Sequence, residues 1–245
     1  MMSIDVLWPL LAVLFVATFI RSAFGFGEAL VAVPLLALFM PVEVAAPVAV
    51  LVSMTVATVV LVQDWRHADL RSAGRLFLAT LPGLPLGLWL LTHVSSTWVK
   101  ALLGAIIIGF SGYVLAARHP PLLKNDRHAW LFGFGGGILG GAYGMNGPPL
   151  VLYGTLRRWS PQHFRATLQG YFLPASVLVM VGYALTGLWT STVTRDYLVS
   201  LPVVAVAIVL GRIANRRMNA KVFVRCVHVG LIATGTVLLL QSLTH

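Results

Sequence analysis

The sequence predicts an all-α integral membrane protein of about eight to ten membrane segments, built as two inverted-topology repeats with broken or re-entrant helices. Three observations carry this prediction. Hydrophobic residues make up 58% of the 245-residue chain and charged residues only 10%, far from the roughly 45–50% and 25% of soluble domains. Stretches free of Asp, Glu, Lys and Arg cover 44–63, 76–92, 101–117, 129–156, 166–194 and 226–244. A bilayer core of about 30 Å needs about 20 helical residues, and these stretches are too long for barrel strands. Finally, two glycine-rich breaks, Phe24-Gly25-Phe26-Gly27-Glu28 and Tyr143-Gly144-Met145-Asn146-Gly147-Pro148-Pro149, interrupt the apolar pattern at matching places in the two halves. Paired interruptions of this kind point to the central site of a membrane carrier.

Ten apolar segments are centred in 6–20, 29–40, 44–62, 76–91, 101–117, 129–143, 149–156, 168–188, 197–210 and 226–240. The first is preceded by Asp5 and by no Lys or Arg, and no small-residue cleavage site follows it, so it reads as a retained segment rather than a signal peptide. The second and seventh are too short to span alone, and each follows a break. Segments one and two, and six and seven, are therefore expected to enter the membrane together as broken or hairpin helices. After each pair come a long helix, a proline-marked helix and another long helix. Gly25 matches Gly144, Pro41 matches Pro161, Leu81-Pro82 matches Leu201-Pro202 and Gly87 matches Gly211, all offset by about 120 residues. This register defines repeats at 1–118 and 129–245, joined by a cytoplasmic linker at 119–128 that carries Pro120-Pro121, within one integrated membrane domain.

The net charge of +10 raises the question of nucleic acid, and the placement of the cations answers it. No basic stripe alternates with aromatics, and no zinc or helix-turn-helix pattern is present, so no nucleic-acid partner is expected. Of the 17 Lys and Arg, fifteen fall in alternate connections, from Arg21 through Arg66, Arg71 and Arg75 to the group between Arg212 and Arg225; Lys100 and Arg195 fall on the other side. The richer side is cytoplasmic by the positive-inside rule, which puts both termini outside. Five segments per half is odd, so the second half enters from the opposite side, giving inverted repeats of the kind used for alternating access.

Gly135-Gly136-Gly137-Ile138-Leu139-Gly140 matches G-x-G-x-x-G in form but lacks the strand and the acidic residue that a dinucleotide site needs. The same glycines, with Gly133 and Gly141, repeat every four residues, as do Gly83 and Gly87. Small residues at that spacing let membrane helices touch backbone to backbone. The breaks themselves expose backbone N–H groups, and a half-helix that starts after each turns its positive end toward the gap. Two such ends suit a compact anion. The substrate-binding candidates are accordingly Gly25, Phe26, Gly27, Glu28, Gly144, Met145, Asn146 and Gly147, with Gln169 from the eighth segment.

Glu28 is an acid ahead of fourteen uncharged residues, and a charge at the bilayer centre costs about 2.5–3.5 kcal/mol on insertion scales. It should be paired, with Arg21 as the candidate partner, or serve coupling or gating. The Gln169 amide can hold an oxyanion or another helix. Arg165 shares a helical face with Gln169 and Phe172 and can draw anions to the cytoplasmic mouth, besides marking topology. Asn146 can donate to a ligand or cap the half-helix near Pro148, and Ser53 and Thr55 either pack helices or line a path. The histidines lie mostly in connections without ligand spacing and Cys226 is alone, so no metal, disulfide or cofactor is expected. No nucleophile with a base, paired acids or H-E-x-x-H motif is present, so no enzyme is expected.

GFGEALVAVPLL at 25–36, PVEVAAPVAVLVS after it, and GAYGMNGPPLVLYG with RRWSPQHFRATLQGYFLP in the second half resemble the TauE/SafE family of sulfite exporters, also called transmembrane sulfur-anion permeases. The resemblance runs over essentially the whole chain. It implies a multi-pass prokaryotic inner-membrane protein with two related halves that exports sulfite or organosulfonates. Gly25, Gly27 and Pro34 match the family's first-half pattern, whereas Glu28 stands where a further glycine is common, which leaves the exact anion open. The partners so implied are a sulfur oxyanion or sulfonate and the lipid bilayer, with protons as a candidate second solute and the oligomeric state unspecified. An anion channel and a non-transporting component of a larger complex are the alternatives.

Overall fold

The computed structural model describes residues 4–64, 70–116, 123, 126–159, 161–215 and 220–243, and among these the regular structure is entirely helical. The helices are α1 (Ile4–Phe24), α2 (Glu28–Leu36), α3 (Val42–Asp64), α4 (Leu70–Thr80), α5 (Gly83–His93), α6 (Ser96–Ala116), α7 (Ala129–Tyr143), α8 (Gly147–Leu156), α9 (Pro161–Leu185), α10 (Ser191–Asn215) and α11 (Ala220–Leu243), with a short 3-10 turn at Asp126–His128. Nine of the ten apolar segments are centred on a single helix each, and the fourth is divided between α4 and α5. α2 and α8, of 9 and 10 residues, reach only about 15 Å, half a bilayer core. The predicted 119–128 linker lies largely outside the described residues.

Among the described residues four helices, α3, α6, α9 and α10, are long and apolar enough to cross a membrane, and α4 with α5 makes a fifth if the bent pair is one span. The apolar stretches within α1 and α11, Leu7–Ala23 and His228–Leu243, are shorter. The fourth segment differs from its expected form: it is two helices bent by 42° at Leu81-Pro82, whereas Leu201-Pro202 lies inside unbroken α10. Pro82 is followed at once by Gly83 and Pro85, so two backbone donors are lost within one turn next to a weak helix former. Pro202 stands among Val and Ala, and its helix absorbs the single missing bond.

The helices pack in an exchange pattern. α1 lies along α10 while α7 lies along α4 and α5; α3 meets α10 as α9 meets α4; and the matching helices α3 with α9, and α6 with α11, pack on each other. The glycine stripes form the closest of these seams. A Cβ on Gly87 would sit 2.1 Å from the Ile138 carbonyl oxygen, and one on Gly141 2.4 Å from that of Leu84, so α5 and α7 touch main chain to main chain. At the counterpart seam a Cβ on Gly211 would lie 2.6 Å from the Phe19 carbonyl oxygen on α1. The apolar window of α3 is 67% buried and that of α10 only 22%; α3 is therefore an interior helix and α10 presents Leu198, Val206, Val209 and Ile213 outward, as a lipid-facing helix does.

Candidate functional site

The two breaks share one local geometry at their first residue. α1 is followed by Gly25 at φ 86 and α7 by Gly144 at φ 64, both in the left-handed region that favours glycine. The Gly25 N–H bonds the Arg21 carbonyl at 2.6 Å, and the Gly144 N–H bonds that of Gly140 at 2.8 Å. Three residues separate the helices in each case, and Gly27, at φ 96, stands before α2 where Asn146 stands before α8.

Both breaks line one cavity. Phe26, Gly27 and Glu28 border it from the first half, and Met145, Asn146 and Gly147 with Gly144 border it from the second; Arg21 and Ser53 supply polar walls, and Phe110 and Phe172 aromatic ones. It is a small cavity with room for a compact group. The N-termini of α2 and α8 both border it, each carrying about half a positive charge. They are not equivalent donors: Val31 N–H makes the bond to Gly27 O, which leaves the preceding amides of α2 unspent, whereas Pro148 and Pro149 remove two N–H groups from the first turn of α8.

One buried cation organises the polar wall. Arg21, 3% exposed, donates from Nη1 to Glu28 Oε2 at 2.9 Å and to Ser53 Oγ, and from Nη2 to Gln169 Oε1 at 3.1 Å. Its guanidinium carbon lies 5.0 Å from the centre of the Phe172 ring, within cation–π range. Arg21 Nε has no hydrogen-bond partner. Glu28, 1% exposed, also accepts from Thr18 Oγ1 at 3.5 Å. The pair is neutral as a unit, which is how two charges become tolerable away from water.

The expected partnership of Glu28 with Arg21 is thus present. Of the residues expected at the site, Phe26, Gly27, Glu28, Gly144, Met145, Asn146, Gly147 and Arg21 border the cavity, while Gly25 and Gln169 stand behind it. Gln169 spends both ends of its amide on protein, accepting from Arg21 and donating from Nε2 to the Gly25 carbonyl at 2.8 Å. Asn146 occupies the N-cap position of α8, but its side chain makes no capping hydrogen bond; with α8 beginning Gly-Pro-Pro, the N–H groups such a cap would bind are missing. Arg165 lies on α9 with its side chain outside the described residues. Arg21 is a buried wall residue and not a loop cation, so it drops out of the count of basic connections.

Thr18, Phe110 and the wall position of Phe172 were not expected. Thr18 and Arg21 are three apart on α1 and share a face, a signal available once Arg21 is taken as buried. Phe110 comes from α6, far in sequence from both breaks, and nothing in the chain marks it. Thr55 bonds Tyr197 on α10 at 2.8 Å, a packing contact and not a path. Among the described residues no group of three His, Cys, Asp or Glu gathers as metal ligands do.

The sulfite exporter TauE/SafE family model matches residues 10–238, a span that includes both breaks, Arg21 and Gln169. The chain belongs to the TauE/SafE family. Over 221 residues this TauE/SafE protein is 28% identical to a probable sulfite/organosulfonate exporter TauE from Cupriavidus necator, with 86% of each chain covered. No solved structure matches it. Membership identifies a multi-pass membrane transporter of a family whose substrates are sulfur anions.

Proposed function

We propose that this TauE/SafE protein exports sulfite or an organosulfonate across the inner membrane by alternating access, with the anion held between the two breaks. The single observation that carries the proposal is the shared cavity: segments more than a hundred residues apart bring two helix N-termini, a buried arginine and the free Asn146 side chain to one compact hole. Positive helix ends, N–H donors and a guanidinium are the groups that bind an oxyanion in a low-dielectric setting. The exchange pattern of packing supports two inverted halves, 1–118 and 129–245, rocking about this point. Basic loops then face the cytoplasm and both termini face outward. The ligand class is taken from the family and from the C. necator relative.

Purified protein in liposomes loaded with labelled anion tests this directly. Sulfite, sulfate, thiosulfate, sulfoacetate, taurine and a carboxylate control are compared with and without a pH gradient. Saturable sulfite or sulfonate flux with counterflow is the expected result. A flux that rises linearly without counterflow indicates a channel, and no flux of any sulfur anion removes the transporter reading.

A further inference from the structure

We propose that Glu28 is a tethered stand-in for the transported anion: substrate takes its place on the Arg21 guanidinium when Glu28 is protonated, so one proton accompanies each anion. This rests on the anion-transport reading above and specifies how the same site is loaded.

Geometry supplies the first argument. Glu28 Oε2 accepts from Arg21 Nη1 at 2.9 Å on the cavity wall, and a sulfite or sulfonate oxygen offers the same acceptor chemistry at the same spacing. Arg21 does not depend on Glu28 to stay in place. Ser53, Gln169 and the Phe172 ring hold the guanidinium from α3 and α9, so it remains when the carboxylate leaves. Its buried Nε–H, without a partner, shows that the protein has not used all of its donors.

Charge supplies the second argument. With Glu28 ionised the pair is neutral, and an anion entering beside it meets a carboxylate with little water to screen the repulsion. With Glu28 protonated the wall carries one net positive charge and the incoming monoanion restores neutrality. The proton is gained on the side where the anion enters and returned on the side where it leaves; no other bond is made or broken. Nothing else near Glu28 takes over this task among the described residues. Of the elements packed on α2, α1 brings Arg21 and the neutral Thr18, and α3 brings Ser53, its Glu43 lying beyond the opposite end of α2. On α6, Lys100 shares a separate cavity with Leu38 and Tyr113 is exposed; on α8, Tyr153 packs with Phe132 and Trp159. On α11, His228 bonds Ser111 at 3.1 Å and meets the edge of Phe110, and Arg225 is exposed.

The test is proton and anion flux in the same proteoliposomes, with an internal pH dye and labelled sulfite, and methanesulfonate as the arm whose own charge does not titrate. For the wild type we expect one proton per monoanion and flux unaffected by an imposed potassium diffusion potential. Anion flux should rise up to tenfold per unit of proton gradient running in the same direction as that flux. In E28Q the proton movement should stop and the pH dependence flatten, while R21K should lose saturable binding. Wild-type flux that follows the potential without protons, or E28Q with unchanged pH dependence, overturns this inference and leaves anion transport intact. No flux of any sulfur anion by the wild type overturns both. The wild-type stoichiometry decides the matter even if E28Q does not fold.

Discussion

Gln169 Nε2 donates to the Gly25 carbonyl at 2.8 Å while its Oε1 accepts from Arg21 at 3.1 Å, so one α9 side chain ties the first break and its arginine to the second half. Removing it leaves a buried carbonyl and a buried guanidinium N–H unsatisfied. Q169L is expected to cost about 1–3 kcal/mol, read as a lower melting temperature in detergent. It should also raise the KM for sulfite, because Arg21 loses one of its supports.

Asn146 makes the opposite prediction. Its side chain forms no capping bond and lines the cavity, so N146A should lower stability less than Q169L while weakening anion binding at least severalfold. A melting temperature that falls with the affinity would return this residue to a structural role.

Gly144 is required on two grounds, its φ of 64 and a Cβ position 2.5 Å from Val50 Cγ2. Gly27 has only the first, since the nearest atom to its Cβ position is 3.6 Å away. G27A should cost about 1–2 kcal/mol of backbone strain, and G144A more. Adding V50A should recover part of the G144A loss and none of the G27A loss, which paired thermal melts will show.

The α5–α7 seam admits no side chain. G87L and G141L would drive a side chain into opposing main chain and should prevent folding. G74A, whose Cβ meets nothing within 4 Å, should be neutral or slightly stabilising, as Gly to Ala is within a helix. Size-exclusion profiles of the three variants separate these outcomes.

The helices were legible because lipid demands long uncharged runs, and the breaks were legible because Gly and Pro interrupt them. The ion pair was anticipated from one isolated acid, Glu28, seven residues after Arg21. What sequence could not supply was distance across the fold. Phe110 reaches the cavity from α6, and nothing local distinguishes it from a lipid-facing ring. An amide in an apolar helix has to bond something, and the sequence leaves Gln169 open between an oxyanion and another helix; in the fold its amide bonds Gly25 and Arg21. The kink at Leu81-Pro82 and the straight run at Leu201-Pro202 show the same limit: matching prolines differ once Gly83 and Pro85 are weighed.

Equilibrium binding of labelled sulfite to the purified protein tests the central claim, that both breaks form one anion site. One sulfite per chain is predicted, with affinity reduced at least tenfold by R21Q from the first half and severalfold by N146A from the second. Two independent sites per chain, or an affinity that neither substitution changes, would contradict it.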